Sequence, residues 1–177
     1  MGLDRGEIGW FSPDPRGILP LDAFHVPARL KRIMRRGEFA IGIDTAFDAV
    51  MRACAAHRDD GTWINEEILA SYSTLHRLGL AHSVEAWLDG TLAGGLYGVH
   101  LGGAFFGESM FHRAPNASKV TLVALVDRLV RRGFVLLDTQ WVTPHLAQFG
   151  AVEVPRRQYL RLLSAALAKS CEFDADP

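Results

Sequence analysis

The sequence predicts a mixed α/β layered fold led by a short, irregular N-terminal arm. Three observations carry this reading. Two helical periods precede a run of strands, short glycine-containing turns join three of those strands, and a long amphipathic helix separates them from a further strand. With 177 residues, 49% of them hydrophobic, the chain is large enough to bury one substantial core. Its formal net charge of −1 excludes a polycation that binds nucleic acid through bulk charge, so any such contact must come from a local patch. The two cysteines, Cys54 and Cys171, supply neither a disulfide framework nor a Cys-rich zinc site, which fits a reducing cytosol. No stretch approaches the ~20 apolar residues of a membrane span, and the first residues lack the apolar run of a signal peptide.

Residues 9–28 hold four prolines and no clean period, so they read as an irregular arm packed through Trp10, Phe11, Ile18, Leu19 and Phe24. In ARLKRIMRRGEF, Leu30, Ile33 and Met34 face the protein while Arg29, Lys31, Arg32, Arg35 and Arg36 project outward, and Gly37 stops the helix. On charge pattern alone this is a solvated helix face. TAFDAVMRACAAH gives the next helix, with a Thr45/Asp48 start that resembles a capping box. A third follows Trp63, with Asn65 as N-cap, Glu66 and Glu67 at the positive dipole end, an apolar face of Ile68, Leu69, Tyr72, Leu75 and Leu78, and Gly79 as the stop.

HSVEAWL, an Asp89-Gly90 turn and TLAGGLYGV form a hairpin, and AFFGESMF pairs next. Gly94, Gly95, Gly98 and Gly107 point to a bulge or to close backbone approach to a ligand. Ser118 is placed to cap a helix that buries Val120, Val123, Val126, Leu129 and Val130 and ends at Gly133. FVLLDTQ is the next strand, a short helix runs from about Thr143 to Phe149, and a strand and closing helix follow. The tail CEFDADP carries no structural signal and is expected to fray. This order matches an acetyltransferase-like (GNAT-like) layered fold.

Glu108 and the pair Asp138 and Gln140 sit inside apolar strands, where a carboxylate is costly unless paired or hydrogen-bonded. Strict alternation places Glu108 with Phe106 and Met110, and Phe105, Gly107, Ser109 and Phe111 on the other face, unless a bulge re-aims either set. A standard crossover through the intervening helix makes the two strands a parallel pair and brings Glu108 and Asp138 toward one crevice. The bland alternative is that each acid caps a turn or pairs with an arginine such as Arg113. No metal is expected, since seven histidines show neither H-x-x-x-H nor HExxH spacing. A CoA-dependent N-acetyltransferase needs a Gly-rich pyrophosphate loop at a helix start, where this chain reads HRAPNASK, with no glycine. Trp63 reads as a core aromatic or, more sharply, as a stacking platform for a base.

SPDPR, GTWI, LHRLGLAHSVEAW, GGLYGV, FFGESMF, NASK, LLDTQ and FGAVEVPRR, in this order over most of the chain, resemble the leucyl/phenylalanyl-tRNA–protein transferase family. The resemblance implies a bacterial, cytoplasmic enzyme without cofactor. It moves Leu or Phe, and less well Met, from aminoacyl-tRNA to proteins beginning with Arg or Lys, marking them for degradation by the N-degron pathway. It implies that Asp138 and Gln140 orient and help deprotonate the incoming amine, with Asp138 holding the Gln140 side chain, and that Glu108 binds the α-amino group of the aminoacyl moiety. Phe105, Met110, Leu122, Leu125 and Leu137 match the family's side-chain pocket, Trp63 its terminal-adenosine contact, and Arg35 and Arg36, with Lys31 and Arg32 nearby, its acceptor-stem phosphate contacts. The same resemblance divides the chain into residues 1–44, a remnant of an N-terminal domain with the basic helix, and a catalytic domain at 45–177, in a protein expected to be a monomer. The upstream tyrosine and FPW-like segment of family members precede the point where MGLDRGEIGW begins, so the adenosine side of the pocket is expected to be less enclosed. A departure at Thr139, where a cysteine often sits, is expected to be tolerated. The competing class is a binding module that keeps the fold and holds tRNA ends or N-terminal peptides without turnover.

Overall fold

The computed structural model describes residues 11–56 and 62–174. Strand β1 (Arg16–Ile18) lies in the arm, helix α1 (Ala28–Arg35) is the basic helix, and β2 (Ala40–Ile43) comes after it. Helices α2 (Phe47–Ala56) and α3 (Glu66–Arg77) lead into β3 (Ala81–Leu88), β4 (Thr91–Leu101) and β5 (Ala104–His112). Then come α4 (Ala117–Arg131), β6 (Leu136–Gln140), α5 (Pro144–Ala147), β7 (Val152–Val154) and α6 (Arg156–Leu167). The strands form a single sheet in the order β2-β3-β4-β5-β6-β1-β7. The β3–β4 turn has Asp89 and Gly90 both at positive φ, the pairing a two-residue hairpin loop demands. Beyond it, β5 and β6 are parallel, as the α4 crossover requires.

Alternation along the strands sorts the core onto two faces. Val84, Ala86, Leu96, Phe105 and Leu137 pack under α4 in one cluster. Tyr97 and Phe111 pack with Phe47, Val50, Met51, Ile68 and Leu69 of α2 and α3. Ala104, Leu136, Ile18, Val154, Tyr159 and Ala166 make a third cluster beneath α6. Asn65 caps α3 by accepting the Ile68 N–H at 2.9 Å, and Gly37, Gly79 and Gly133 take positive φ at the ends of their helices, as the sequence predicts.

Several expectations are corrected. The arm is not wholly irregular, because β1 sits inside the sheet between β6 and β7. With β2 on the opposite edge, residues before Thr45 supply two strands of the same sheet, so hydrogen bonding does not separate them from the rest of the chain. Phe11 is exposed, and Trp10 lies outside the described residues. The Thr45/Asp48 capping box does not form: Thr45 Oγ1 donates to the buried Glu85, and Asp48 accepts from Ser73 Oγ. Ser118 is buried inside the first turn of α4, and Asn116, at φ +70°, takes the cap position. Leu78, Val130 and Met34 are exposed rather than buried. The tail does not fray over its described part. Phe173 is 1% exposed and stacks on His82 and Phe105 with centroids at 4.2 and 5.5 Å, while its carbonyl accepts from Arg128 Nε at 2.8 Å.

Candidate active site

The site forms where the parallel β5–β6 ladder ends. Ala104, Phe105 and Phe106 pair with Leu136, Leu137 and Asp138, after which β6 continues along β1, with Ile18 opposite Asp138 and Gly17 opposite Gln140. On its other side β5 pairs Gly107 with Gly98 and Ser109 with Tyr97, so Glu108 is the extra residue of a β-bulge. The bulge inverts the alternation: Phe105 and Met110 share the α4 cluster, whereas Phe111 packs under α2 and α3. Strict alternation puts Phe105 with Phe111 instead. Of Gly94, Gly95, Gly98 and Gly107, Gly98 is required by this bulge, since a Cβ there would fall on the Phe106 carbonyl oxygen and the Phe105 ring. Gly94 and Gly95 make room for Ala117 and Val50, packing within the protein rather than approach to a ligand.

Asp138 is fully buried and fully engaged. Arg16 Nε donates to Oδ1 at 3.0 Å and to Oδ2 at 3.1 Å, Arg16 Nη2 donates to Oδ2 at 2.9 Å, and the Tyr159 hydroxyl donates to Oδ2 at 2.5 Å. The Gln140 main-chain N–H donates to Oδ1 at 2.8 Å. Asp138 thus holds Gln140 through its backbone, not through its side chain as expected. Its arginine is Arg16 and not Arg113, which reaches the Leu92 carbonyl and the Phe111 ring instead. Gln140 takes φ +59°, and the chain turns so sharply that the Trp141 N–H reaches the Thr139 carbonyl at 2.6 Å. A Cβ at Gly17 would lie 2.6 Å from the Trp141 carbonyl carbon, which explains the glycine after SPDPR.

Glu108 lies against Tyr72 of α3. Burial pushes its carboxyl above the ordinary value, the hydrogen bond with Tyr72 opposes this, and the charge of Asp138 adds to it. The Tyr72 phenol is raised, by burial first and then by Glu108, so its hydroxyl stays protonated and donates. Sequence reasoning missed Arg16, Tyr72 and Tyr159 as parts of the site. Arg16 lay within a recognisable motif and Tyr72 on a helix face, but only the fold shows what they touch.

The five expected pocket residues come together: Phe105, Leu122, Leu125 and Leu137 are buried in the α4 cluster, and Met110 packs against it. Leu137 also lines a cleft of about 330 Å³ with Ile18, Leu19 and Leu162. Trp63 is half-buried and packs on the α2–α3 cluster. Lys31, Arg32, Arg35 and Arg36 are all exposed along α1, Arg36 pairing loosely with Glu38 at 3.6 Å. At the start of α4 the Ala117 N–H is taken by the Ala114 carbonyl, and Ala117 and Ser118 are buried. That helix start does not fit a CoA pyrophosphate, which needs open N–H groups. His82, the most buried of the described histidines, shares its Nδ1 between Asp44 at 2.7 Å and Asp174 at 3.1 Å, and so ties the tail to β3.

A sequence profile of the leucyl/phenylalanyl-tRNA protein transferases matches residues 18–164. The chain belongs to this family. It is 54% identical over 177 residues to the leucyl/phenylalanyl-tRNA–protein transferase of Nitrobacter winogradskyi, covering 99% of this chain and 79% of that one. It is 57% identical over 171 residues to the transferase of Herpetosiphon aurantiacus, covering 96% and 88%. Among solved structures, L-PGS from Bacillus licheniformis superposes with a TM-score of 0.55 at 11% identity, over 88% of this chain and 65% of that chain. A GCN5-related glucosamine N-acetyltransferase region of a fungal enzyme gives 0.54 at 14% identity, over 80% and 20%. These likenesses establish the acetyltransferase-like layered fold that the element order predicts. Membership of the leucyl/phenylalanyl-tRNA protein transferase family makes the chain an aminoacyltransferase.

Proposed function

We propose that this aminoacyltransferase moves Leu or Phe, and less well Met, from aminoacyl-tRNA to the N-terminal Arg or Lys of acceptor proteins, without a cofactor. The observation that carries the reading is the grouping of Asp138, Gln140 and the Glu108 bulge at the end of the β5–β6 ladder, in a chain of this family. The donor is an activated ester, and an acceptor α-amine with a pKa of about 7.7–8.0 leaves some neutral nucleophile near pH 7. The amine nitrogen attacks the ester carbonyl, the new C–N bond forms, the C–O bond to the ribose breaks, and the amine proton ends on the ribose hydroxyl. Positioning therefore supplies most of the catalysis, and no covalent enzyme intermediate is needed.

In this reading Gln140, held in place by Asp138, orients the incoming amine, and Glu108 receives the α-amino group of the aminoacyl moiety. Phe105, Met110, Leu122, Leu125 and Leu137 form the wall that the Leu or Phe side chain meets. Trp63 contacts the terminal adenosine, and Lys31, Arg32, Arg35 and Arg36 meet acceptor-stem phosphates in a salt-sensitive, sequence-independent way. The protein then acts as a monomer in a bacterial cytoplasm, marking its acceptors for the N-degron pathway. The test is transfer of labelled Leu from Leu-tRNA to a protein beginning with Arg, beside one beginning with Ala. Label on the Arg protein alone supports the reading, and label on neither removes it.

A further inference from the structure

Asp138 has no acceptor direction left for a reacting amine. An ionised carboxylate offers about four lone-pair directions. Here Oδ1 serves Arg16 Nε and the Gln140 N–H, and Oδ2 serves Arg16 Nη2 and the Tyr159 hydroxyl. The guanidinium also lies over the Tyr159 ring, 5.1 Å from its centroid, so the two donors brace each other. Burial first, and then Asp138 itself, raise the Tyr159 phenol, which keeps it a donor. The donors arrive from opposite ends of the chain, Arg16 on β1 and Tyr159 on α6. A second clip fixes the same junction: the Arg156 N–H reaches Asp14 Oδ1 at 3.1 Å, and Arg156 Nη2 reaches the Ser12 carbonyl at 2.7 Å. This assembly holds Gln140 at φ +59°, a conformation that a non-glycine residue keeps only when its surroundings impose it.

We propose that Arg16 and Tyr159 are positioning residues for aminoacyl transfer: they lock the Asp138 carboxylate as an anchor for the Gln140 main chain, and Asp138 is not the group that takes the proton of the attacking amine. This rests on the transfer reading above. Tyr159→Phe keeps the ring beneath Arg16 and removes only the hydroxyl. Its kcat for Leu transfer to the Arg-initiated protein falls about tenfold, with KM for both substrates unchanged to within about twofold, because an interaction that orients the reacting groups is lost while binding is not. In an Asp138→Asn background the same change has no further effect, since Tyr159 acts through the carboxylate. Arg16→Lys keeps the charge but not the planar fork and lowers kcat in the same way, an independent check should Tyr159→Phe fold poorly.

A wild-type kcat in Tyr159→Phe, additive losses in the double variant, or a raised KM at constant kcat overturns the proposal. So does complete loss of transfer in a folded Asp138→Asn protein, which would make the acid the proton acceptor. If these variants fail while the wild-type chain transfers Leu, the transfer reading stands and only the positioning role falls. A wild-type chain that transfers nothing overturns both.

Discussion

Replacing Phe173 with Ala tests whether the C-terminal residues belong to the core. The ring is 1% exposed and contacts His82, Phe105, Phe134 and the Arg128 guanidinium. Burying a phenylalanine removes about 150–200 Å² from water, worth about 4–5 kcal/mol at roughly 25 cal/mol per Å². Measured Phe→Ala losses in cores run at about 3–5 kcal/mol. One effect works against this: a tail that lets go regains the conformational entropy of its ordered residues, so the net loss should be about 2–4 kcal/mol. For a domain of this size that lowers Tm by about 4–16 °C, at roughly 2–4 °C per kcal/mol. Urea denaturation of the wild type, Phe173→Ala and Phe173→Leu measures it, the leucine variant keeping most of the stability. Because Phe173 stacks on Phe105, transfer of Leu should weaken as well. A stability change below about 0.5 kcal/mol, the range of ordinary surface substitutions, would refute the reasoning and return the tail to solvent.

Other perturbations read the site directly. Asp138→Ala leaves the Arg16 side chain, only 14% exposed, without its partner and should cost about 3–5 kcal/mol in urea denaturation, so lost transfer in that variant must be judged beside its folding. Gly98→Ala forces a methyl onto the Phe106 carbonyl and the Phe105 ring and should cost about 1–3 kcal/mol, whereas Gly107→Ala meets only the Asp138 carbonyl oxygen, 3.5 Å away, and should shift stability by about 0.5 kcal/mol or less. For Glu108→Gln the sign comes from the raised carboxyl. Below the unfolded pKa of about 4.3 the wild type and variant should be nearly equal. Between that value and the elevated folded pKa the unfolded chain ionises while the half-buried Glu108 resists, so the wild type loses stability relative to the variant until the loss is complete above the folded pKa. Denaturation midpoints compared from pH 4 to pH 8 should diverge upward in favour of Gln, and a gap independent of pH would exclude this account.

The sequence alone determined the features that depend on neighbours along the chain. Apolar periodicity placed α3, α4 and the β3–β4 hairpin, Asn65 and the helix-terminal glycines set their ends, and the crossover through α4 made β5 and β6 parallel. Glu108, Asp138 and Gln140 were legible because a carboxylate or carboxamide in an apolar strand is costly enough to stand out. The features that the tertiary structure alone decided involve partners far apart in sequence. Strand β1 lies in a proline-broken stretch that shows no strand pattern, yet it delivers Arg16 to Asp138 across 122 positions. Tyr159 carries no signal of its own within the closing helix, and Phe173 sits in a tail without one, but the fold sets each against a buried surface. The bulge at Glu108 belongs to the same class: periodicity gives a strand's faces, but only the pairing with β4 shows where one extra residue exchanges them.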